Sequence, residues 1–263
     1  MNRNLTSEQI LCMQLLGYSP SKILKANTNF FSKVMQEQEM AEDMLEKTLL
    51  LLDRQKKLGI TTLPFHHPDF PECFRQIGSD CPPLIHLLGN KELMRKKAVA
   101  IIGARQANKK GCEAAYKWGA EYARRGEVVV SGLALGCDAA AHQGCLAVKG
   151  ETIAVVATGL DITHPQENKP LQDAILYNGG LLLSEQIIRL KANPARLVGR
   201  NRLQAALSEK VIVAQCPLQS GTMHTVRFAQ KYGKSIYAVQ FDRYDASSSG
   251  NKYLLEEGIA LPL

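Results

Sequence analysis

The sequence predicts an α/β protein: a doubly wound, mostly parallel sheet carrying a small helical domain at its N-terminus. Three observations lead there. Short apolar, β-branched runs recur from Ala98 onward without polar alternation, the habit of strands covered by helices on both faces. Amphipathic stretches of helical length separate these runs, so strand and helix alternate as in βαβ units. Residues 5 to 55 show helical spacing of apolar residues and no such run. The chain divides by this reading into a helical domain over 1–57, a connector over 58–93 that packs on the core, and the α/β domain over 94–263.

Within the first part, Thr6-Ser7-Glu8-Gln9 resembles a helix start, and Ile10, Leu11, Leu15 and Leu16 follow at helical spacing before Gly17 ends the run. A second short helix begins near Ser19-Pro20-Ser21. The pair reads either as a helix-hairpin-helix-like module, whose glycine turn offers amides to a phosphate, or as a small docking bundle. A longer helix over Met35 to Lys57 carries acids early and Arg54, Lys56 and Lys57 in its last turn, as the helix dipole prefers. Residues 58 to 93 are rich in Pro and Gly and read as irregular. His66 and His67 beside Asp69 and Glu72 are read as polar loop residues rather than metal ligands.

The α/β part is organised around Ala98 to Ser131: a strand (Ala98 to Ile102), a tight Gly103-Ala104-Arg105 turn, a helix from about Gly111 to Arg125 and a second strand (Val128 to Ser131). Strands over Thr152 to Ala157, Gly180 to Ser184, Val211 to Ala214 and Ser235 to Gln240 follow. Helices over Ala139 to Val148, Leu171 to Tyr177, Asn201 to Leu207 and Thr222 to Tyr232 lie between them. In such a sheet the ligand lies outside the carboxyl ends of the strands.

The residues at those ends are Gly103 and Arg105, Ser131 and Gly132, Thr158 and Gly159, Ser184 and Glu185, and Ser220-Gly221-Thr222. Small hydroxyl residues and glycines allow close approach of a phosphate and supply donors to it. The fingerprint GxGxxG is absent after the first strand, and GxxxxGK[ST] does not occur, which disfavours a standard dinucleotide enzyme or P-loop ATPase. The run Arg189 to Arg202 holds Arg189, Lys191, Arg196, Arg200 and Arg202 with no acid among them. Guanidinium forks suit phosphate oxygens, and several along one crest suggest a track for a nucleic-acid backbone.

Composition agrees without deciding. The 263 residues are 45% hydrophobic, enough for a large core, and carry a net charge of +7 from 32 Lys+Arg against 25 Asp+Glu. The seven cysteines (Cys12, Cys73, Cys81, Cys112, Cys137, Cys145, Cys216) are scattered and form no CxxC, so reduced thiols in a cytoplasmic setting are expected. No stretch has the length and apolarity of a membrane span, and the N-terminus lacks the apolar core of a signal peptide. Asp138 and His142 share a helix face, but acid–base work needs a third group. A structural hydrogen bond closing the loop is the preferred reading. No GxSxG elbow or placed Cys/His pair is present, so nucleophilic catalysis is not expected.

The segments AVAIIGAR (98–105), SGLALGCDAAAH (131–142), GETIAVVATGLDITHPQEN (150–168), RNR (200–202) and SGTMHT (220–225) occur in the order seen in the DprA/Smf DNA-processing proteins. HPDFP (67–71) ahead of PPL (82–84) is also similar to that family. The resemblance covers roughly residues 5 to 260. It implies an extended Rossmann-like core that binds single-stranded DNA, forms homodimers and helps load the RecA recombinase during DNA uptake or repair, with no cofactor and no membrane. The family's glycine-small-arginine turn falls on Gly103, Ala104 and Arg105, and its arginine-asparagine-arginine segment on Arg200, Asn201 and Arg202. Two departures stand out. Leu197-Val198 replaces the Phe-Pro usual before the arginine segment, removing a platform for base stacking, and Val239-Gln240-Phe241 replaces Val-Pro-Gly after the sixth strand. Phe241 either supplies the lost ring or is an ordinary buried loop aromatic.

The expected DNA-binding residues are therefore Gly103, Arg105, Ser131, Gly132, Arg196, Arg200, Asn201, Arg202, Ser220, Gly221 and Thr222. The helix Thr222 to Tyr232 and the segment Leu254 to Leu263 are candidate dimer surfaces. The alternative is a small-nucleotide-binding or hydrolysing module related to the lysine-decarboxylase-like proteins, for which Glu185 is the one carboxylate at a strand end. The hydrolase motif PGGxGTxxE is not reproduced at Gln219 to Thr225.

Overall fold

In a computed structural model, which describes residues 4–263, the chain forms eleven α-helices and one sheet of nine strands among the described residues. The N-terminal part folds as α1 (Ser7–Leu15), α2 (Pro20–Leu24), α3 (Thr28–Glu37) and α4 (Ala41–Lys57). Thr6 and Gln9 close a capping box at the start of α1. The helix expected over Met35 to Lys57 is two helices, because the backbone turns extended at Gln38 and α4 restarts at Ala41. No Gly or Pro marks that break in the sequence.

Residues 58–93 are more regular than their composition suggests. They supply β1 (Thr61–Pro64) and β2 (Leu84–Gly89), with the short α5 (Glu72–Arg75) between. The reading as an irregular connector is corrected accordingly. β2 pairs antiparallel with the strand Leu181–Ser184, His86 opposite Ser184, and β1 pairs antiparallel with β2 at the edge. Leu63, Phe70, Phe74, Ile85 and Leu87 then share one apolar cluster with Val128, Ile153 and Leu183 of the central sheet.

The rest alternates as the periodicity predicts. β3 (Ala98–Ile102), α6 (Lys109–Arg124), β4 (Val128–Ser131), α7 (Cys137–Ala147), β5 (Thr152–Val155), α8 (Lys169–Tyr177) and β6 (Leu181–Ser184) lead to α9 (Pro194–Leu207). After it come β7 (Lys210–Val213), α10 (Thr222–Lys231), β8 (Ser235–Ala238), α11 (Ser249–Glu256) and β9 (Leu261–Pro262). The strand order is β1-β2-β6-β5-β4-β3-β7-β8-β9, parallel from β6 to β9. From β3 the chain winds one way to β6 and then crosses to β7 on the other side of β3. The switch point therefore lies between β3 and β7, where doubly wound sheets bind ligands.

The N-terminal helices are not a separate body. Leu5, Ile10, Leu11, Met13, Ile23 and Phe31 pack in one cluster with Leu84, Ala154, Val156 and Leu182. A polar pin reinforces the contact: the Gln55 side chain on α4 is 1% exposed, its Nε2 meets His86 Nδ1 and Thr62 Oγ1 at 3.0 and 2.9 Å, and its Oε1 accepts from Ile188 N. At the opposite edge Asn251 of α11, fully buried, accepts from Cys216 N and donates to the carbonyls of Val213, Ala214 and Val239. No described helix is long and apolar enough to cross a membrane.

Candidate nucleic-acid interface

A cleft of about 460 Å³ opens at the carboxyl ends of β3 and β7, walled by α9 and by the N-terminus of α10. Its floor begins at the turn after β3. Gly103 is wedged against the Cys137 side chain and Gln215 O, leaving no room for a Cβ. Ala104 N donates to Gln215 O at 2.8 Å, which fixes the turn and sends Arg105 outward to the rim, where it is exposed. Gln215 also accepts from Asn108 N and donates to Asn108 Oδ1, so the start of α6 is tied to the end of β7.

The loop after β4 is held just as firmly. Leu133 sits at φ 58 and Gly136 at φ 74, and the former is a strained conformation for a bulky residue. The Asp138 carboxylate holds this backbone by accepting from Gly132 N (3.1 Å) and Ala134 N (3.4 Å), and Asn168 Nδ2 donates to Leu133 O at 2.8 Å. Asp138 is thus the loop-closing acceptor. His142 instead faces Thr152 Oγ1 at 2.7 Å, and burial together with the Arg200 charge lowers its pKa to about 3, so it stays neutral.

Arg200 enters the floor from α9. It is 6% exposed, and its Nη1 donates to Gly132 O at 2.6 Å and to Val155 O. The guanidinium occupies the space a side chain at 132 would need. Burial lowers its pKa to about 10, with Asp138 opposing and Arg105 adding to the drop. Burial likewise raises the Asp138 carboxyl, against the pull of Arg200 and the backbone donors. The two form a buried pair of opposite charge under the cleft, and the exposed positive charge at its mouth is that of Arg105.

Among the described residues, Arg200 Nε and Gln204 Nε2 are buried donors without a hydrogen bond, and Ser220 Oγ has only the Cys216 thiol beside it; all three belong to residues lining this one cleft. Buried polar groups are ordinarily satisfied, and all three can donate. Gly221 stands open beside them with nothing near its Cβ position. Thr222 opens α10, whose positive end borders the cleft. Asn201 completes the wall, its Nδ2 donating to Gly221 O at 3.2 Å.

The expected residues separate into two groups. Gly103, Arg105, Arg200, Asn201, Ser220, Gly221 and Thr222 meet at the cleft. Ser131 is fully buried, with its hydroxyl donating to Ile101 O at 2.7 Å, and the Gly132 amide is spent on Asp138; both support the floor and neither offers a free donor. Arg196 folds back on Lys191 O at 2.7 Å and does not line the cleft. Arg202 faces the other side of α9. Its Nη1 and Nη2 each donate to Glu185 at 2.5 Å and its Nε to Asp80 O at 2.8 Å. Glu185 is held there, outside the cleft lining. Missing from the expected binding residues are Gln204, two residues past the 200–202 segment on α9, and Thr225, the last residue of the 220–225 segment. No described residue lining the cleft is aromatic, and Phe241 packs edge-on against Tyr244 instead.

A doubly wound, mostly parallel sheet with glycine turns, arginines and a helix N-terminus at its switch point defines a Rossmann-like α/β protein. A family model described as DNA recombination-mediator protein A matches residues 61–263, and the chain belongs to that family. It is 37% identical to the DNA processing protein DprA of Streptococcus pneumoniae over 182 residues, 69% of this chain and 64% of that one. Identity to the Bacillus subtilis DprA is 31% over 218 residues, covering 82% and 73% of the two chains, whereas the match to protein Smf of Synechocystis spans only 44% of that relative. The crystal structure of the S. pneumoniae protein superposes with a TM-score of 0.81 at 29% identity, covering 99% of this chain and 95% of the other. A structure of DNA processing protein A from Helicobacter pylori, solved for its single-stranded DNA binding mode, superposes with a TM-score of 0.69 at 33% identity over 77% and 90% of the two chains.

Proposed function

We propose that this protein binds single-stranded DNA without sequence preference, seating backbone phosphates in the cleft at the switch point. The observation that carries the reading is the gathering of Arg105, Arg200, Gln204, Ser220 and the N-terminus of α10 around one cleft, with Arg200 Nε and Gln204 Nε2 unpartnered in its wall. Phosphate oxygens are the acceptors that would satisfy them. Exposed Arg105 at the rim would neutralise backbone charge, and Asn201, Gly221 and Thr222 would shape the approach, with Gly103 keeping the turn close to the strand. The DNA-binding mode studied in the H. pylori relative supports the same ligand.

Geometry weighs against the nucleotide-hydrolysing alternative. The cleft volume suits a mononucleotide, but the carboxylate such chemistry needs, Glu185, is engaged in both of its oxygens by Arg202 and lies outside the cleft. Two finer readings rest on the family: a homodimer, and delivery of the bound strand to the RecA recombinase during DNA uptake or recombination. Of the two candidate dimer surfaces, the C-terminal one buries Leu254 and Ala260 within the chain and leaves Leu261 on the sheet edge exposed.

The test is fluorescence anisotropy of a short single strand and of its duplex across a salt series. Phosphate neutralisation on a single strand adds about 0.7 to the log–log slope per contact. A preference for the single strand with a slope of several contacts is the expected result; binding of neither form removes the proposal.

A further inference from the structure

The helices α1–α4 precede the matched segment 61–263, yet one residue of α4 reaches the loop that feeds the cleft. That loop, residues 185–193, joins β6 to α9, and α9 carries Leu197, Arg200, Asn201 and Gln204 into the cleft wall. Gln55 meets it from behind. Its Oε1 accepts from Ile188 N at 3.2 Å, while its Nε2 is tied to Thr62 Oγ1 and His86 Nδ1 at 2.9 and 3.0 Å. Ile188 is 1% exposed, so water is not at hand to replace that acceptor. Only residues 189–193 separate Ile188 from Pro194, where α9 begins.

The loop would not hold this shape unaided. Arg189 sits at φ 69, a left-handed conformation that is costly for a residue with a Cβ. Two clamps grip the backbone around it. In front, both Asp161 carboxylate oxygens accept from Arg189 N, at 2.9 and 3.1 Å, and Gly159 N donates to Leu190 O at 2.9 Å. Gly159 lies so close to the loop that a Cβ there would stand 2.6 Å from Ile187 O and from Ile188 Cα. Behind, Gln55 holds Ile188 N, and Ile187 and Ile188 share an apolar cluster with Ile10, Leu11 and Phe31 of the N-terminal helices. Downstream, Asn193 caps α9 by accepting from Arg196 N at 2.8 Å, and Arg196 Nη1 returns to Lys191 O at 2.7 Å. The loop and the first turn of α9 are therefore tied together.

We propose that Gln55 is a positioning residue for strand binding: by holding Ile188 N it fixes the loop after β6 and, with it, the start of α9. The N-terminal helices thus brace a cleft that none of their residues lines. The assignment rests on the single-strand reading and adds to it a contribution from the far side of the sheet edge. Without its acceptor the Ile188 amide is buried and unsatisfied, and the loop relieves both this and the strain at Arg189 by turning away from α4. The start of α9 follows. Arg200 stays pinned by Gly132 O and Val155 O, so the displacement falls on the Leu197 and Val198 end of the wall and weakens binding without abolishing it.

The experiment measures the affinity of the full chain for a short oligothymidylate by fluorescence anisotropy. Gln55→Met keeps the length of the side chain and loses the acceptor, and is expected to bind about three- to tenfold more weakly. Gln55→Glu keeps an acceptor for Ile188 N. Its buried carboxylate lowers the melting temperature, yet its affinity returns close to that of the unaltered protein, which a loss of stability alone would not allow. A second measurement needs no substitution. Coupling is reciprocal, so saturating oligothymidylate slows hydrogen exchange at the Ile188 amide of the unaltered protein by about the same factor. Full affinity in Gln55→Met, a loss in Gln55→Glu as large as in Gln55→Met, or an Ile188 amide whose exchange ignores the oligonucleotide overturns the brace while leaving the phosphate cleft standing. Failure of the unaltered protein to bind the oligothymidylate overturns the single-strand reading and the brace with it.

Discussion

Replacing Arg202 with Ala should cost stability and spare DNA binding, the reverse of what its place in a basic motif suggests. Its side chain is 12% exposed and that of its partner Glu185 16%. The guanidinium makes four donations, two to Glu185, one to Asp80 O and one to Gly199 O, so it joins α9 to the end of β6 and to the segment before β2. Burial alone would lower its pKa, yet the hydrogen bonds and charge of Glu185 raise it on balance. Truncation strands a buried carboxylate, which costs about 3–5 kcal/mol when no water reaches it. The residual exposure of Glu185 places the loss near the lower figure. For a chain of this size about 3 kcal/mol lowers the melting temperature by roughly 6–12 °C, readable by circular dichroism and urea unfolding. The double replacement R202M/E185L removes the stranded charge with the pair and should recover most of the loss. Unchanged stability in R202A, together with a salt slope for single-stranded DNA lower by about 0.7, would refute this assignment and return Arg202 to the interface.

Further expectations concern the floor and the buried histidines. Gly103→Ala forces a methyl group against Cys137 and Gln215 O, and overpacking of this kind costs about 1–3 kcal/mol; Gly221→Ala meets open space and should leave the unfolding midpoint where it is. His86 and His142 are fully buried, and burial lowers their pKa values to about 4 and about 3, the Arg200 charge adding to the second shift. The unfolded chain therefore binds protons below about pH 6.5 that the folded chain refuses, so stability falls as pH drops. Between about pH 6 and 5 the two residues together contribute a slope of up to about 2.7 kcal/mol per pH unit. His142→Asn or His86→Gln should each reduce the measured slope by up to about 1.4 kcal/mol per unit, and a slope unaltered by both variants would show that these groups titrate alike in the two states.

The central sheet was legible because its strands are written as uninterrupted apolar runs, AVAII, VVVS and LLLS among them, which only a strand buried on both faces tolerates. β1 and β2 were not, because β2 pairs antiparallel with β6 from far along the chain and β1 pairs only with β2, while the sequence between them reads as Pro-rich loop. The same holds for the packing of the N-terminal helices: Gln55 lies in a charged helix and gives no sign in sequence that it reaches His86. At the site, glycine turns and Arg105 could be placed from the strand ends alone. The fate of the other arginines could not. Arg200 turns inward because Gly132 O and Val155 O wait for it under the cleft, and Arg202 turns away because Glu185 and Asp80 O lie behind α9. Those acceptors become neighbours only through the tertiary fold, so spacing along the chain could group the two arginines but not tell their roles apart.

The most direct test of the central claim is the salt dependence of single-strand binding in Arg105→Ala. Arg105 is exposed at the rim and makes no hydrogen bond or ion pair that supports the fold among the described residues, so its loss should leave the melting temperature unchanged. If backbone phosphates sit in the cleft, affinity falls for unrelated sequences alike and the log–log slope drops by about 0.7, one phosphate contact. A slope and affinity equal to those of the unaltered protein would contradict the account and place the strand elsewhere on the surface.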